Sequence, residues 1–298
     1  MTVDAAKSRS EPAYDRDIVI VGGGPAGCSA AVFTARHGLD TVVFDRGNAS
    51  LRRCAYLENY LGFPAGVDVE TFYDLAHDHA ERAGAEVIAD LVVSVARDGR
   101  GGFRVETQDG RELTTRRVVA AAKYDGEYPD RDGRTPVDGL YVAGPLGAAE
   151  DQAIIAAGHG AVVGRSAIAD ARVDDGWWGD AADQVDWVRR AAELDDEWAA
   201  RETWVEWFDD RFADGAPVDP GDPRFERVRE EYIDASLSTY VEPDEIDARA
   251  ESGHEALAEH VDVEAVVSAV DESSLLDAID DDAIREYVNS GRVERETG

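Results

Sequence analysis

The chain has 298 residues, is 44% hydrophobic and carries a net charge of −34 from 64 acidic and 30 basic side chains, of which only Lys7 and Lys123 are lysine. A charge of that size repels phosphate backbones and speaks against nucleic acid as a partner, and no apolar run approaches the roughly 18 residues of a membrane span. Acid in excess, with arginine in place of lysine, is the composition expected of a halophilic protein, whose self-repulsion strong salt screens within about 3 Å.

In chain order, residues 1–16 are polar and lack the apolar stretch of a secretory signal, which predicts a disordered tail and a cytoplasmic location. Asp17 to Gly22 reads as a short strand, Pro25 to His37 as a helix with proline in its first turn, and Thr41 to Asp45 as the next strand. Val69 to Ala83 is helical and ends at Gly84. Glu86 to Ala96, Phe103 to Thr107 and Glu112 to Ala120 are predicted strands, with Asp109-Gly110 as a hairpin turn. Leu140 to Ala143 is one more strand and Ala148 to Asp170 a long helix of small residues.

Composition changes near residue 172. Residues 172–298 hold 38 acidic and 12 basic side chains, −26 of the total −34, and all six tryptophans lie between Trp177 and Trp207. This predicts a domain over 17–171 and an acidic helical region over 172–298. Trp187, Ala191, Leu194, Trp198, Val205, Phe208 and Phe212 recur at helical spacing, which predicts one long amphipathic helix whose tryptophans form a core stripe rather than a partner surface. Pro217, Pro220 and Pro223 break it. Helices are expected around Phe225–Tyr240, Glu245–Val261, Val263–Val270 and Ser274–Val288, with no internal repeat.

The chemistry is concentrated at the N-terminus. A strand runs into Gly22-x-Gly24-x-x-Gly27 and then a helix, with Pro25 and Ala26 inside the turn. Gly22 permits the tight turn, Gly24 lets backbone approach a pyrophosphate, and Gly27 lets helix and strand pack closely. The free N–H groups and dipole of the helix favour anionic phosphates. Asp45, followed by Arg46, ends the second strand, where an acid accepts hydrogen bonds from ribose hydroxyls. The fold class predicted is α/β, a three-layer FAD/NAD(P)-binding Rossmann-like domain followed by the acidic helical region.

Glycine spacing does not separate FAD from NAD. Glu58-Asn59-Tyr60-Leu61-Gly62-Phe63-Pro64 resembles the E-N-Y-x-G-F-P segment of the thioredoxin reductase family. Gly139-Leu140-Tyr141-Val142-Ala143-Gly144, followed by Gln152, Ala153 and Ala156-Ala157-Gly158-His159-Gly160-Ala161, resembles that family's C-terminal flavin motif, in the same order. The resemblance covers residues 17–170. It implies FAD as cofactor, with Asn59, Gly144, Gln152 and Ala153 on the flavin side, and a helix near Gln152 pointing its positive end at the flavin.

Departures from the family are equally informative. Only Lys123 to Asp138 separate the strand ending at Ala122 from the last flavin motif, too few for the βαβ unit of about 30 residues that would bind NADPH. Cys28 and Cys54 form no C-x-x-C dithiol and no zinc pattern. Pro145 stands where the family places an aspartate against the ribityl chain, and Ala121-Ala122-Lys123 replaces Ala-Thr-Gly. The resemblance runs Arg52-Arg53-Cys54 beside the flavin ring, where adjacent arginines favour a thiolate, so Cys54 is a candidate electron relay against the alternative of a buried space-filler. Cys28 reads as packing, and His159 as a packed or solvent-facing histidine rather than a general acid. His77 and His79, two apart on one helix, face different ways and predict no metal site.

The expected function is a flavoprotein oxidoreductase without its own NADPH domain or dithiol. Its electron donor, a diffusing nicotinamide nucleotide, a ferredoxin-like protein or another flavin, and its acceptor are unidentified. The helical region, or a second subunit in a homodimer, is expected to cover the ring. The alternative is a non-catalytic FAD-binding module whose helical region engages a partner.

Overall fold

The computed structural model describes residues 14–122, 129–144, 152–185, 188–191 and 198–290. Its first compact unit is residues 1–246 and its second residues 247–298. The boundary expected at 172 falls inside a helix.

The first unit is built on five parallel strands in the order β3-β2-β1-β6-β7: β1 (Arg16–Val21), β2 (Thr41–Phe44), β3 (Glu86–Ile88), β6 (Glu112–Ala120) and β7 (Leu140–Val142). Alternation along the strands sorts side chains onto two faces. Ile18, Ile20, Val43, Val119 and Tyr141 pack with α1 (Pro25–Arg36), α2 (Val69–Arg82) and α3 (Ala153–Asp174). Val19, Val42, Phe44 and Val118 pack with Phe103 and Val105 on the opposite face. There β5 (Phe103–Thr107) pairs antiparallel with β4 (Val92–Arg97) on one side and with the first half of β6 on the other, forming the third layer. This is the α/β architecture that the sequence predicts.

Several boundaries differ. The strand expected over Glu86–Ala96 is two strands, because the buried Asp90 carboxylate captures the backbone between them, accepting from the N–H groups of Leu91 and Asp109 and from Arg111. The tail expected over 1–16 is ordered by residue 14: Asp15 accepts from the Thr114 N–H at 2.7 Å and Arg16 opens β1; residues 1–13 lie outside the described residues. Helix α3 begins at Ala153 and runs on to Asp174.

The stripe of small residues in α3 has a direct packing cause. A Cβ on Gly160 would lie 2.1 Å from the Ala26 carbonyl oxygen, and one on Gly164 would lie 3.1 Å from the Ala30 carbonyl oxygen. The pairs 26–160 and 30–164 advance together, so α1 and α3 run parallel in close contact.

Beyond α3, Trp177 and Trp178 are buried with Phe208, Phe212, Phe225 and Val228, and Trp178 stacks on Phe225 at 5.2 Å. Their indole N–H groups donate to Glu231 and to the Phe212 carbonyl. These two tryptophans are core. The long helix expected from Trp187 is not one element: α5 spans Arg201–Phe212, and Ala191 lies in β8 (Arg190–Ala191), paired parallel with β9 (Tyr240–Val241), while Trp187 and Leu194 fall outside the described residues. The region is therefore not all helix. Between these strands, α6 spans Pro223–Leu237 and stops before Tyr240.

In the second unit no described residue is buried. The single helix expected over Ser274–Val288 is two, and with its predecessor they form a nine-residue repeat. Asp262, Asp271 and Asp280 each cap a short helix, α8 (Val263–Ala269), α9 (Glu272–Ala278) and α10 (Asp281–Asn289), each accepting from the N–H three residues on, Ala265, Ser274 and Ala283. The periodicity of Leu275, Ile279 and Ile284 conceals this break, and the repeat corrects the expectation of none.

Candidate functional site

The glycine loop lies between the C-terminal end of β1 and α1. Gly22 has φ +111°, and a Cβ there would sit 2.7 Å from the Ala121 carbonyl oxygen. A Cβ on Gly27 would sit 1.8 Å from the Gly22 carbonyl oxygen, and one on Gly23 2.6 Å from the Asp45 Cβ. These three glycines are required by the protein's own packing. Gly24 is different: a Cβ there meets only Ala49 Cβ and Tyr73 Oη, both at 3.8 Å. Gly24 thus has room for a methyl group in ordinary contact, just before the first turn of α1, which has no side-chain cap and no acidic residue. Pro25 and Ala26 form that first turn, leaving the N–H groups of Ala26 and Gly27 ahead of the first intrahelical bond, Cys28 N–H to Gly24 O at 2.9 Å.

Helix α3 shares this character. It too has no side-chain cap and no acid in its first turn, whereas every other α-helix among the described residues has one or more acids there. In so acidic a chain these are the two α-helices among the described residues whose first turn holds no acid against the positive helix end. Ala153 precedes the Ala26–Gly160 contact by about two turns, so the α3 N-terminus stands roughly 10 Å beyond that of α1. The arrangement suits an extended anionic ligand with separated electron-rich parts.

The Glu58–Pro64 segment is brought to the same end. Leu51, Leu57, Val67, Phe72 and Tyr73 form one cluster with Ala153, and Tyr60 packs edge-on against Phe72 at 4.8 Å. Asn59 donates from Nδ2 to Gln152 Oε1 at 2.5 Å, joining residues far apart in sequence at the start of α3. Residues 58–64 themselves line a shallow pocket. Gly144, with φ +139°, donates its N–H to His159 Nδ1 at 3.1 Å, which ties the end of β7 to α3 and leaves Nε2 as the protonated nitrogen of the neutral ring. His159 is thus a positioning residue. Pro145 lies outside the described residues.

At the end of β2, Asp45 is buried. Its Oδ1 accepts from the Gly47 N–H at 3.0 Å. His77 Nε2 is 3.0 Å from the Gly23 carbonyl oxygen and 3.3 Å from Asp45 Oδ2. Its N–H aims at the carbonyl, so Oδ2 is ion-paired but has no aligned donor. Burial alone would raise the Asp45 pKa; His77 and the Gly47 N–H outweigh it and hold the carboxyl below its ordinary range. The same pair pushes His77 up to about 10. Arg46 is exposed beside Asp45. Cys28 is buried, with Sγ 3.1 Å from the Gly23 carbonyl oxygen, which is the expected packing role. Cys54 is exposed, directly after a 3-10 turn over Ser50–Arg53, so it does not fill buried space.

Two participants were not read from the sequence. Tyr73 and His77, four apart on one face of α2, both reach the glycine loop: Tyr73 is buried, its hydroxyl has no partner among the described residues, and its ring stacks edge-on with His77 at 5.8 Å. The i, i+4 spacing was a visible signal, but nothing in the sequence said which face of α2 meets the loop. Of the four buried side-chain atoms without a hydrogen-bond partner among the described residues, the acceptor on Asp45 and the donor on Tyr73 border the glycine loop and fit the hydroxyl and phosphate groups of a dinucleotide.

Because pairing favours the imidazolium, the stability that His77 contributes is complete below its unfolded pKa near 6.5 and is lost as pH rises through about 10. Denaturation midpoints measured across this interval should fall in the natural chain, and the part due to His77 should vanish in His77→Gln. Parallel curves for the two proteins would remove the pair from the account.

Residues 16–122 match the pyridine nucleotide-disulphide oxidoreductase family. Thioredoxin reductase from Streptomyces clavuligerus is 41% identical over 83 residues, 27% of this chain and 26% of that protein. The Aquifex aeolicus enzyme of the same name is 31% identical over 120 residues, 40% and 37% of the two chains. The α/β unit is thioredoxin reductase-like. A thioredoxin reductase structure from Gloeobacter violaceus shares the fold, with TM-score 0.51 and 17% identity over 60% of this chain and all of that one. The chain spans about a quarter to a little over a third of the length of these two curated relatives. In its thioredoxin reductase-like unit, β6 passes to its parallel neighbour β7 through residues 121–139 alone. No helix among the described residues is long and apolar enough to cross a membrane.

Proposed function

We propose that the chain binds FAD, with the diphosphate at the N-terminus of α1, the adenosine ribose toward Asp45 and the flavin ring toward Asn59, Gln152 and the start of α3, and that it works as an oxidoreductase. The observation that carries this reading is the pair of helix N-termini with no side-chain cap and no acid in the first turn, with the Asn59–Gln152 hydrogen bond at the second. Bound FAD supplies chemistry that accepts electrons as hydride or singly. The residues of this chain do the rest. The Ala26 and Gly27 N–H groups receive phosphate oxygens, Asp45 accepts from ribose, and the positive end of α3 stabilises negative charge at the ring. Asn59 and Gln152 orient one another and present amide groups at that end.

With residues 121–139 as the whole β6–β7 connection, the proposal assigns no NADPH domain to this unit; the donor diffuses in or is another protein. The exposure of Cys54 leaves it open to solvent, where the relay role is tested by Cys54→Ser. A non-catalytic FAD module is the second reading, favoured by the proline at 145. The discriminating experiment is anaerobic mixing of the FAD-loaded chain with NADH or NADPH in high salt. Bleaching of the visible flavin band faster than for free FAD supports turnover. Bound FAD that no donor reduces faster than free FAD supports the second reading.

A further inference from the structure

We propose that Tyr73 and Arg52 form a side-chain wall of the diphosphate site, the Tyr73 hydroxyl donating to a phosphate oxygen and the Arg52 guanidinium neutralising its charge. The inference rests on the FAD reading above and adds the adenosine-diphosphate contacts that the glycine loop alone does not provide.

Tyr73 is 1% exposed, and its hydroxyl has no partner among the described residues. Buried polar groups without partners are rare and costly, and mark places where something outside the chain completes the bonding. The hydroxyl lies 3.8 Å from where a Cβ on Gly24 would stand, as does Ala49 Cβ, so the backbone at Gly24 has room beside it. A phosphate oxygen in that space accepts from the first-turn N–H groups of α1 and from the tyrosine together. Arg52 lies across the tyrosine ring, its Cζ 4.7 Å from the centroid. It is exposed and belongs to the turn whose Leu51 packs in the same cluster as Tyr73. A guanidinium stays charged at every working pH and pairs with phosphate in two-point geometry. In a chain of net charge −34, an anionic ligand needs such a local cation. Asp45 Oδ2, a second of the four buried side-chain atoms without a hydrogen-bond partner among the described residues, is an acceptor and suits a ribose hydroxyl; the other two are His159 Nε2 and Arg229 Nε.

The test uses the full chain stripped of flavin, titrated with FAD by flavin fluorescence and with ADP as competitor. Tyr73→Phe should weaken FAD and ADP alike by about tenfold, the loss of one charge-assisted hydrogen bond. The same variant should raise the thermal midpoint of the ligand-free chain, because it removes a hydroxyl that the free protein leaves unpaired. Arg52→Gln should weaken both ligands and flatten the salt dependence of binding. Unchanged affinities in both variants overturn the proposal while leaving FAD binding intact. A Tyr73→Phe variant that loses affinity and thermal stability together shows a packing role and also overturns it. A natural chain that takes up neither FAD nor ADP overturns the FAD reading itself.

Discussion

Gly27→Ala should leave little folded protein. The added Cβ would lie 1.8 Å from the Gly22 carbonyl oxygen and 3.2 Å from the Ala121 side chain, so α1 must move off the sheet or the loop must open. Neither is soft: Gly22 is itself locked at positive φ against the Ala121 backbone, and the Ala26 backbone of α1 lies in close contact with Gly160 of α3. Overpacking at a site that cannot relax costs on the order of 4 kcal/mol, a large part of the net stability of a domain. A urea titration of the ligand-free chain reads this directly. A midpoint equal to that of the natural chain would mean that the close contact of loop and helix is wrong.

Gly24→Ala should do the opposite. Its φ of −78° suits any residue, and its Cβ would have only 3.8 Å contacts. The substitution costs the helix cap under about 1 kcal/mol. Yet the methyl group would stand in the space assigned to the diphosphate. FAD affinity should fall by about a hundredfold, close to 2.7 kcal/mol, while the urea midpoint barely moves. Full affinity in Gly24→Ala would move the ligand away from the α1 N-terminus. Two glycines three residues apart are thus expected to fail in different ways, one as structure and one as binding.

Much of this site was legible in the sequence, for identifiable reasons. Gly22, Gly24 and Gly27 with Asp45 carry a local pattern, because a strand, a tight turn and a helix must follow one another within one stretch of chain. The approach of Asn59 to Gln152 is a long-range contact that no periodicity encodes; it came from resemblance to a family. His77 was read as one of two histidines facing apart, which is correct for the helix but silent on what each face meets. His77 found Asp45 and Gly23, whereas His79 found Arg36. Tyr73 was invisible for the same reason.

The misplaced elements follow a common rule: side-chain hydrogen bonds to backbone overrode apolar spacing. Asp90 split one predicted strand into two, and Asp280 split one predicted helix. Over 187–212 the helical spacing of apolar residues crossed into β8, where pairing with β9, a strand distant in sequence, decides the backbone. Such pairings are not encoded locally.

Whether the glycine loop and the α1 N-terminus hold a flavin dinucleotide is decided by equilibrium titration of the flavin-free full chain with FAD and with FMN in high salt, followed by flavin fluorescence. FAD should bind at about 1 μM or tighter, with FMN, which lacks the adenosine monophosphate half, weaker by at least tenfold. No uptake of FAD, or equal affinity for FMN, would overturn the dinucleotide site.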